Sequence, residues 1–283
     1  TLPLIKRALV IGGGIAGIQT ALDIAAAGYP VTLVERAATL GGHMARLSGT
    51  YFNFAPAGDY LAQKLHAVAG HPHITVRTGT EVESVAGYVG NFQIRLRGPD
   101  GPEVEPLDVG AIVVATGYDI YPVAKLSEYG GGVLPDVISG LDFEEMLRPD
   151  GPTQGEIRRP SDGAAPREVV FVQCAGSRDP ESAMPYCSKV CCMYTAKQAR
   201  LLRRQHPQSQ AYVFYIDIRS TGKGAEEFVQ QGMQEEDILY LRGKVSRVFQ
   251  EGKKTVVWGV DTLSGRAIEI EAAIGAVTEL RTG

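Results

Sequence analysis

Four cysteines, Cys174, Cys187, Cys191 and Cys192, make up the whole thiol content of the chain, and they fall in one short stretch. Four thiolates match the ligand set of an iron–sulfur cluster. They also match a tetrahedral zinc site. The adjacent pair Cys191-Cys192 could instead cycle between dithiol and disulfide without metal. Thiolate is a soft ligand that suits iron–sulfur, zinc and copper(I) alike, so ligand type does not choose among them. Spacing says more. Zinc knuckles prefer Cys-x-x-Cys, and neighbouring side chains point in different directions, so one ion would strain the backbone to take both. A cluster with several irons offers separate corners and accommodates such a pair. A disulfide framework does not suit a chain of 283 residues without a secretion signal.

The second chemistry-bearing run lies at the front, where Leu9 to Ile24 read LVIGGGIAGIQTALDI. The apolar run Ala8 to Ile11 predicts a buried parallel strand. Gly12, Gly14 and Gly17 follow in G-x-G-x-x-G spacing around Ile15 and Ala16, and Ile18, Ala21, Leu22 and Ala25 carry a helical apolar pattern. Gly12 permits the tight turn, Gly14 lets backbone approach a pyrophosphate, and Gly17 lets the helix pack close on the strand. The helix N-terminus offers N–H groups and positive potential to phosphate. A second strand, Val31 to Val34, ends in Glu35-Arg36, where an acid would meet a ribose hydroxyl. Leu40-Gly41-Gly42-His43-Met44 comes next. An acid followed by a Gly-Gly pair resembles the FAD-binding flavoproteins built from two dinucleotide domains, so FAD is favoured over NAD.

That resemblance implies cofactor contacts from Gly12, Gly14, Ile15, Ala16, Gly17, Glu35, Arg36, Gly42, His43 and Met44, with backbone near Val82 meeting the adenine. Gly110 to Gly117 (GAIVVATG) reads as another buried strand. Its end, Ala115-Thr116-Gly117, resembles the second FAD-side motif of the same superfamily.

The elements that must position these residues form two copies of one α/β pattern. In the first half, Asp59 to Val68 is a short helix with Asp59 as its cap, and Ile74 to Arg77, Glu81 to Val85 and Phe92 to Leu96 are strands. Residues 37 to 57 show no clear period. Arg148 to Arg167, rich in proline and glycine, reads as a linker. The expected domains are therefore 1–147, a linker at 148–166, and 167–283. The second copy opens with a strand at Glu168 to Gln173, then a helix from about Val190 to Gln205 with Arg200, Arg203 and Arg204 wet. Further strands follow at Ala211 to Ile218 and Ile238 to Leu241, and then a meander. Trp258 reads as core or strand packing. The turn after the opening strand of the second copy, Gln173-Cys174-Ala175-Gly176, lacks the glycines of a pyrophosphate turn, so nicotinamide binding is lost there. Two Rossmann-like domains, the second degenerate and carrying the cysteines, are the predicted fold.

Composition agrees with an ordinary globular protein: 44% apolar, 21% charged, 34 glycines and a formal charge of −4. That charge gives no nucleic-acid footprint. No run is long and apolar enough for a membrane span. Thr1-Leu2-Pro3 does not start a signal peptide, so the cytoplasm is expected, with any membrane association left to partners.

The run VQCAGSRDPESAMPYCSKVCCMYTAKQA, with YIDIRSTGKGAEEF downstream, resembles the A-type subunit of heterodisulfide reductase and its relatives in sulfur oxidisers and sulfate reducers. The resemblance covers nearly all of the chain. It implies a thioredoxin-reductase-like fold with FAD in the first domain and a [4Fe-4S] cluster on Cys174, Cys187, Cys191 and Cys192. It implies an electron-transfer role in sulfur metabolism, partner subunits with further clusters, and a homodimer. The alternative is a self-contained flavin disulfide reductase using Cys191-Cys192. Three departures stand out. No Cys-x-x-Cys-x-x-Cys-x-x-x-Cys run is present. No cysteine lies in Leu47 to Asp59. Ala273 to Leu280 takes the place of the second copy's closing strand and the chain then stops, as a short or truncated form would.

Overall fold

Two β-α-β ladders dominate the structure, a computed structural model that describes residues 4–102, 106–181, 183–252 and 254–277. The chain divides into two units. One holds the chain up to Arg46 together with Pro56–Gly117; the other holds Leu47–Ala55 and the described residues from Tyr118 onward.

In the first unit β1 (Ala8–Ile11), α1 (Ile15–Ala26), β2 (Val31–Val34), α2 (Ala57–Ala69) and β3 (Ile74–Arg77) form the ladder. An antiparallel set follows: β4 (Glu81–Tyr88), β5 (Asn91–Gly98), β6 (Gly101–Pro102) and β7 (Leu107–Val109). The chain then returns as β8 (Ala111–Val114) beside β1. The parallel order is β3-β2-β1-β8. β1 and β2 are apolar runs because parallel strands are covered on both faces. Leu9 and Val34 meet Ile94, Leu96 and Val109 of the antiparallel set in one buried cluster.

β8 is not the buried strand expected from its composition. It is an edge strand paired only with β1 among the described residues, and Val114 is 69% exposed. The helix cap expected at Asp59 also differs. α2 begins at Ala57 after Pro56, and Asp59 lies inside its first turn, where a carboxylate still suits the helix dipole.

The second unit repeats the pattern. β9 (Val137–Ser139) and α3 (Gly140–Met146) come first, with Ser139 and Asp142 forming a capping box on α3. Then follow β10 (Glu168–Val172), α4 (Cys191–Gln205), β11 (Gln210–Tyr215), α5 (Ala225–Glu235) and β12 (Leu239–Arg242). The meander is β13 (Val245–Glu251), β14 (Lys254–Asp261) and β15 (Arg266–Ala272), and β16 (Ile274–Val277) returns beside β10. The parallel order is β12-β11-β10-β16-β9. The part of the expected closing stretch from residue 278 on lies outside the described residues.

The domain boundary predicted at 148–166 is corrected. β9 precedes that stretch yet pairs with β16, so the division falls at Gly117–Tyr118. Nor is 148–166 a loose linker. Ile157 is fully buried, its N–H donates to Gln205 Oε1 (2.8 Å), and Asp136 accepts from Ser161 N (2.9 Å). Leu47–Ala55 joins the second unit through a buried polar knot. Lys197 Nζ donates to Gly49 O and Glu144 Oε2 (both 2.7 Å), while Ser48 N and Oγ donate to the same carboxylate oxygen.

One single-residue expectation also changes, and another is met in only one of its two forms. Arg200 is buried rather than wet, because Glu236 accepts from its Nε at 2.8 Å and Phe228 O from its Nη1 at 3.1 Å. Trp258 packs on a strand but is 46% exposed, stacked edge-on against Phe249 with its N–H on Glu269.

Candidate functional site

The first candidate site lies at the carboxyl ends of β1, β2 and β8, where open α/β sheets bind ligands. Gly12 adopts φ +109°, and a Cβ there would stand 2.2 Å from the Ala115 carbonyl oxygen. A Cβ on Gly17 would stand 1.8 Å from the Gly12 carbonyl oxygen. These two glycines are demanded by the fold. Gly14 differs: its backbone is ordinary extended (φ −73°, ψ 178°), and a Cβ there would meet nothing within 4 Å. It caps α1 without a side-chain hydrogen bond, so no side chain satisfies the first amides, at Ile15, Ala16 and Gly17, which a helix leaves without intrahelical partners.

The second glycine loop closes on the first. Gly41 N donates to Gly13 O (2.8 Å), and a Cβ on Gly42 would reach Gly14 Cα at 3.0 Å. Glu35 is fixed by backbone: Oε2 accepts from Gly13 N and Oε1 from Ala37 N, both at 2.7 Å. Gly13, absent from the sequence-predicted set, thus orients the acid. Arg36 is exposed and His43 half-buried; Met44 is buried in the 3-10 turn Gly42–Arg46. Val82 turns its side chain to the core, at a strand irregularity between Val82 and Ser84, which leaves only backbone for a ligand. Ala115 continues the β1 pairing through Ile11 O (2.7 Å), and Thr116 and Gly117 are exposed. The cradle thus fits a dinucleotide: an open glycine, an uncapped helix end and an oriented carboxylate.

The second candidate site lies at the matching position of the second unit. Gln173 N donates to Phe214 O as Gly12 N donates to Val34 O, so Gln173 stands in the place of Gly12 and Cys174 in that of Gly13. In the first unit the helix starts straight after the turn. In the second, a loop from Ser177 to Val190 intervenes and doubles back, with Arg178 N on Tyr186 O (3.1 Å) and Asp179 N on Met184 O (3.0 Å). Cys191 and Cys192 then open α4, at its positive end. Cys174, Cys191 and Cys192 are buried; Cys187, on the loop, is half-buried and accepts from Lys189 N at 3.4 Å.

The three buried sulfurs interact directly. The Cys191 thiol donates toward its neighbours, which pushes its own ionisation up and pulls that of Cys174 down to about 7, with Arg178 adding to the second effect. Cys192 is lowered for the same first reason. Arg178 and Arg219 both pair with Asp217 (2.6 and 3.1 Å), and Arg219 also feels the charges of Cys187 and Cys192. Among the described residues no three His, Cys, Asp or Glu side chains stand close enough to hold a single metal ion. The donor chemistry nevertheless fits a cluster, whose ligands bind separate irons. Cys174, Cys191 and Cys192 interact with one another, Arg178 acts on Cys174, and Arg219 feels both Cys187 and Cys192. Two buried donors there, Gln173 Nε2 and Thr195 Oγ1, lack any hydrogen-bond partner. Sequence reasoning missed Gln173, Arg178, Asp217 and Arg219. The absent glycine at residue 173 was the available signal for the first.

Residues 6–138 match the pyridine nucleotide-disulphide oxidoreductase family. Over 94% of the chain, 34% of residues are identical to the A-type iron-sulfur subunit of the CoB–CoM heterodisulfide reductase of Methanocaldococcus jannaschii, of which 52% is covered. The chain is thus similar over nearly all of its length to heterodisulfide reductase A-type subunits. Another relative, the A-type subunit of the H(2)/formate:CoB-CoM heterodisulfide,ferredoxin reductase of Methanococcus maripaludis, is 33% identical over 94% of the chain and 52% of its own length. The chain therefore spans about half the length of these heterodisulfide reductase relatives. The aligned stretch runs over 343 positions against 283 residues here, so the relatives carry segments inside it that this chain lacks. The thioredoxin reductase of T. acidophilum superposes with a TM-score of 0.57 at 17% identity, over 96% of this chain and 77% of that one. Lactococcus lactis thioredoxin reductase gives 0.57 at 14%, over the same shares. The fold is thus the thioredoxin-reductase-like FAD/NAD-binding α/β fold. No helix among the described residues is long and apolar enough to cross a membrane.

Proposed function

We propose that the chain is an electron-transferring flavoprotein subunit of a heterodisulfide-reductase-like complex in sulfur metabolism, with FAD in the first unit and a [4Fe-4S] cluster on Cys174, Cys187, Cys191 and Cys192. Flavin exchanges electrons in pairs and a cluster one at a time, so a chain holding both links the two kinds of carrier. Partners are the other subunits of such a complex, as the subunit names of the relatives suggest, and on this reading those partners carry further clusters.

The observation that carries this reading is the contrast between the two turns. The first keeps Gly14 open to a ligand, beside Glu35 held by two backbone amides. The second replaces the glycines and delays its helix until two cysteines stand at the helix start. In the first unit the residues bind and orient: amides at α1 meet the pyrophosphate, Glu35 the ribose, and the small residues Ala115, Thr116 and Gly117 let backbone pass close to the flavin side. In the second, Arg178 favours thiolate over thiol at Cys174.

A metal-free Cys191-Cys192 redox pair fits less well. Their relative exposures are 2% and 3%, which bars a disulfide substrate from either sulfur.

Anaerobic purification with flavin, iron and acid-labile sulfide analysis tests the proposal. The expected result is one FAD and about four irons and four sulfides per chain. Flavin without iron or sulfide, and four thiols free to alkylate, would overturn the cluster assignment.

A further inference from the structure

Gln173 is 4% exposed, and its side-chain amide is half satisfied. Oε1 accepts from the Cys192 thiol at 3.5 Å, while Nε2 is buried with no hydrogen-bond partner. A buried N–H left without a partner carries its full desolvation penalty. Such a group in a native protein calls for an explanation, an absent ion or ligand among them.

The position adds a second reason. Gln173 occupies the place of Gly12, where the first unit needs a residue without a side chain. A dinucleotide turn would exclude a long amide here. The second unit instead buries one against a cysteine.

The two halves of the amide answer two states of Cys192. As a thiol, Cys192 has a proton to give, and Oε1 at 3.5 Å is the nearer of two acceptors, the other being the Asp217 carbonyl oxygen at 3.7 Å. As a metal-bound thiolate it has none, and Oε1 would face another acceptor. Rotation about the last side-chain torsion exchanges Oε1 for Nε2, because the two ends of a carboxamide are nearly alike in shape. One turn then removes the acceptor–acceptor clash and satisfies the orphaned donor.

We propose that Gln173 is a positioning residue for the sulfur centre, whose amide N–H donates to the metal-bound Cys192 sulfur and favours the reduced, more electron-rich state of the cluster. This rests on the cluster assignment above. The amide transfers no electron and no proton; it holds a dipole at a sulfur whose charge grows on reduction. Hydrogen bonds to charged groups are the stronger kind.

The test uses the full chain purified anaerobically with both cofactors. Gln173→Met keeps length and removes the donor. Its cluster is expected to be about tenfold harder to reduce, about 59 mV for a one-electron couple. The flavin potential stays unchanged. In parallel, wild-type protein labelled with side-chain 15N-glutamine is reduced and read by pulsed electron paramagnetic resonance. A 15N coupling that vanishes in Gln173→Met supports the proposal. A loaded cluster with unmoved potential, or a reduced wild-type cluster without the 15N coupling, overturns it while leaving the cluster assignment standing. Where Gln173→Met folds but takes up no iron, presence or absence of the wild-type coupling decides. A wild-type chain without iron or sulfide overturns both.

Discussion

Gly14 and Gly17 belong to one sequence fingerprint, yet the structure gives them opposite sensitivities. Gly14→Ala adds a methyl group that meets nothing within 4 Å, on backbone dihedrals open to any residue. The change loses a modest cap preference and gains about 0.4–1 kcal/mol from a less flexible unfolded chain, so cofactor-free stability stays within about 1 kcal/mol of wild type. The methyl group fills the space proposed for the pyrophosphate. Displacing one or two N–H···phosphate bonds, at about 1.5–3 kcal/mol for the first, weakens FAD about 10- to 150-fold. Gly17→Ala instead drives Cβ to 1.8 Å from the Gly12 carbonyl oxygen. The helix must move off β1, which costs about 1–3 kcal/mol as overpacking does. The assay pairs FAD titration by flavin fluorescence with urea unfolding of the flavin-free chain. Gly14→Ala binding FAD like wild type would refute the assignment of that opening. So would Gly14→Ala unfolding as readily as Gly17→Ala.

Three further outcomes follow from the second unit. Lys197→Met leaves Glu144, 2% exposed, with Ser48 and Gln198 as its remaining donors; urea unfolding should show a loss of about 3–5 kcal/mol, and Lys197→Met with Glu144→Gln should recover more than half of it. Burial raises Tyr51 and Tyr129 from 10.0 to about 12. The folded chain therefore holds these phenolic protons more tightly than the unfolded chain, so their contribution is intact below pH 10 and is lost as pH rises through about 12, read as a falling denaturant midpoint. Cys187→Ala should lower bound iron and sulfide in anaerobic protein while leaving flavin content unchanged; equal loss of flavin would count against a cluster confined to the second unit.

Regular elements were legible because each has a local signal. Apolar runs mark β1, β2 and β10, and the glycine spacing marks the turn after β1, because a Cβ at Gly12 or Gly17 would collide with backbone. What was hidden depends on residues far apart in the chain. Leu47–Ala55 shows no period, and its place is set by Lys197 and Glu144, which meet it from elsewhere in the sequence. Arg200 reads as wet in a helical pattern that scores charge as surface, whereas Glu236 from beyond α5 lets it be buried. β8 carries a core composition but sits at a sheet edge, since composition reports what a strand can bury and pairing reports what covers it. The boundary near residue 118 was hidden for a like reason. A proline- and glycine-rich stretch looks like a hinge until its backbone is found bonded to Asp136 and Gln205.

On the proposed reading, the duplication explains how one physical device would serve two chemistries. Both units end a central parallel strand, turn, and start a helix whose unpaired amides favour negative charge. In the first unit the turn is made of glycines, the helix starts at once, and the space before it stays clear. In the second, Gln173 and Cys174 fill the turn, the inserted loop brings Cys187 back, and the helix starts on two cysteines. The same end of the same helix that would otherwise face phosphate now faces sulfur. Little else had to change in the ladder, since β10, β11 and β12 keep the order and direction of β1, β2 and β3. Restoring glycine at residues 173 and 174 alone should therefore not restore nucleotide binding. The loop before α4 would still separate turn from helix, and Tyr215 stands where Glu35 follows β2.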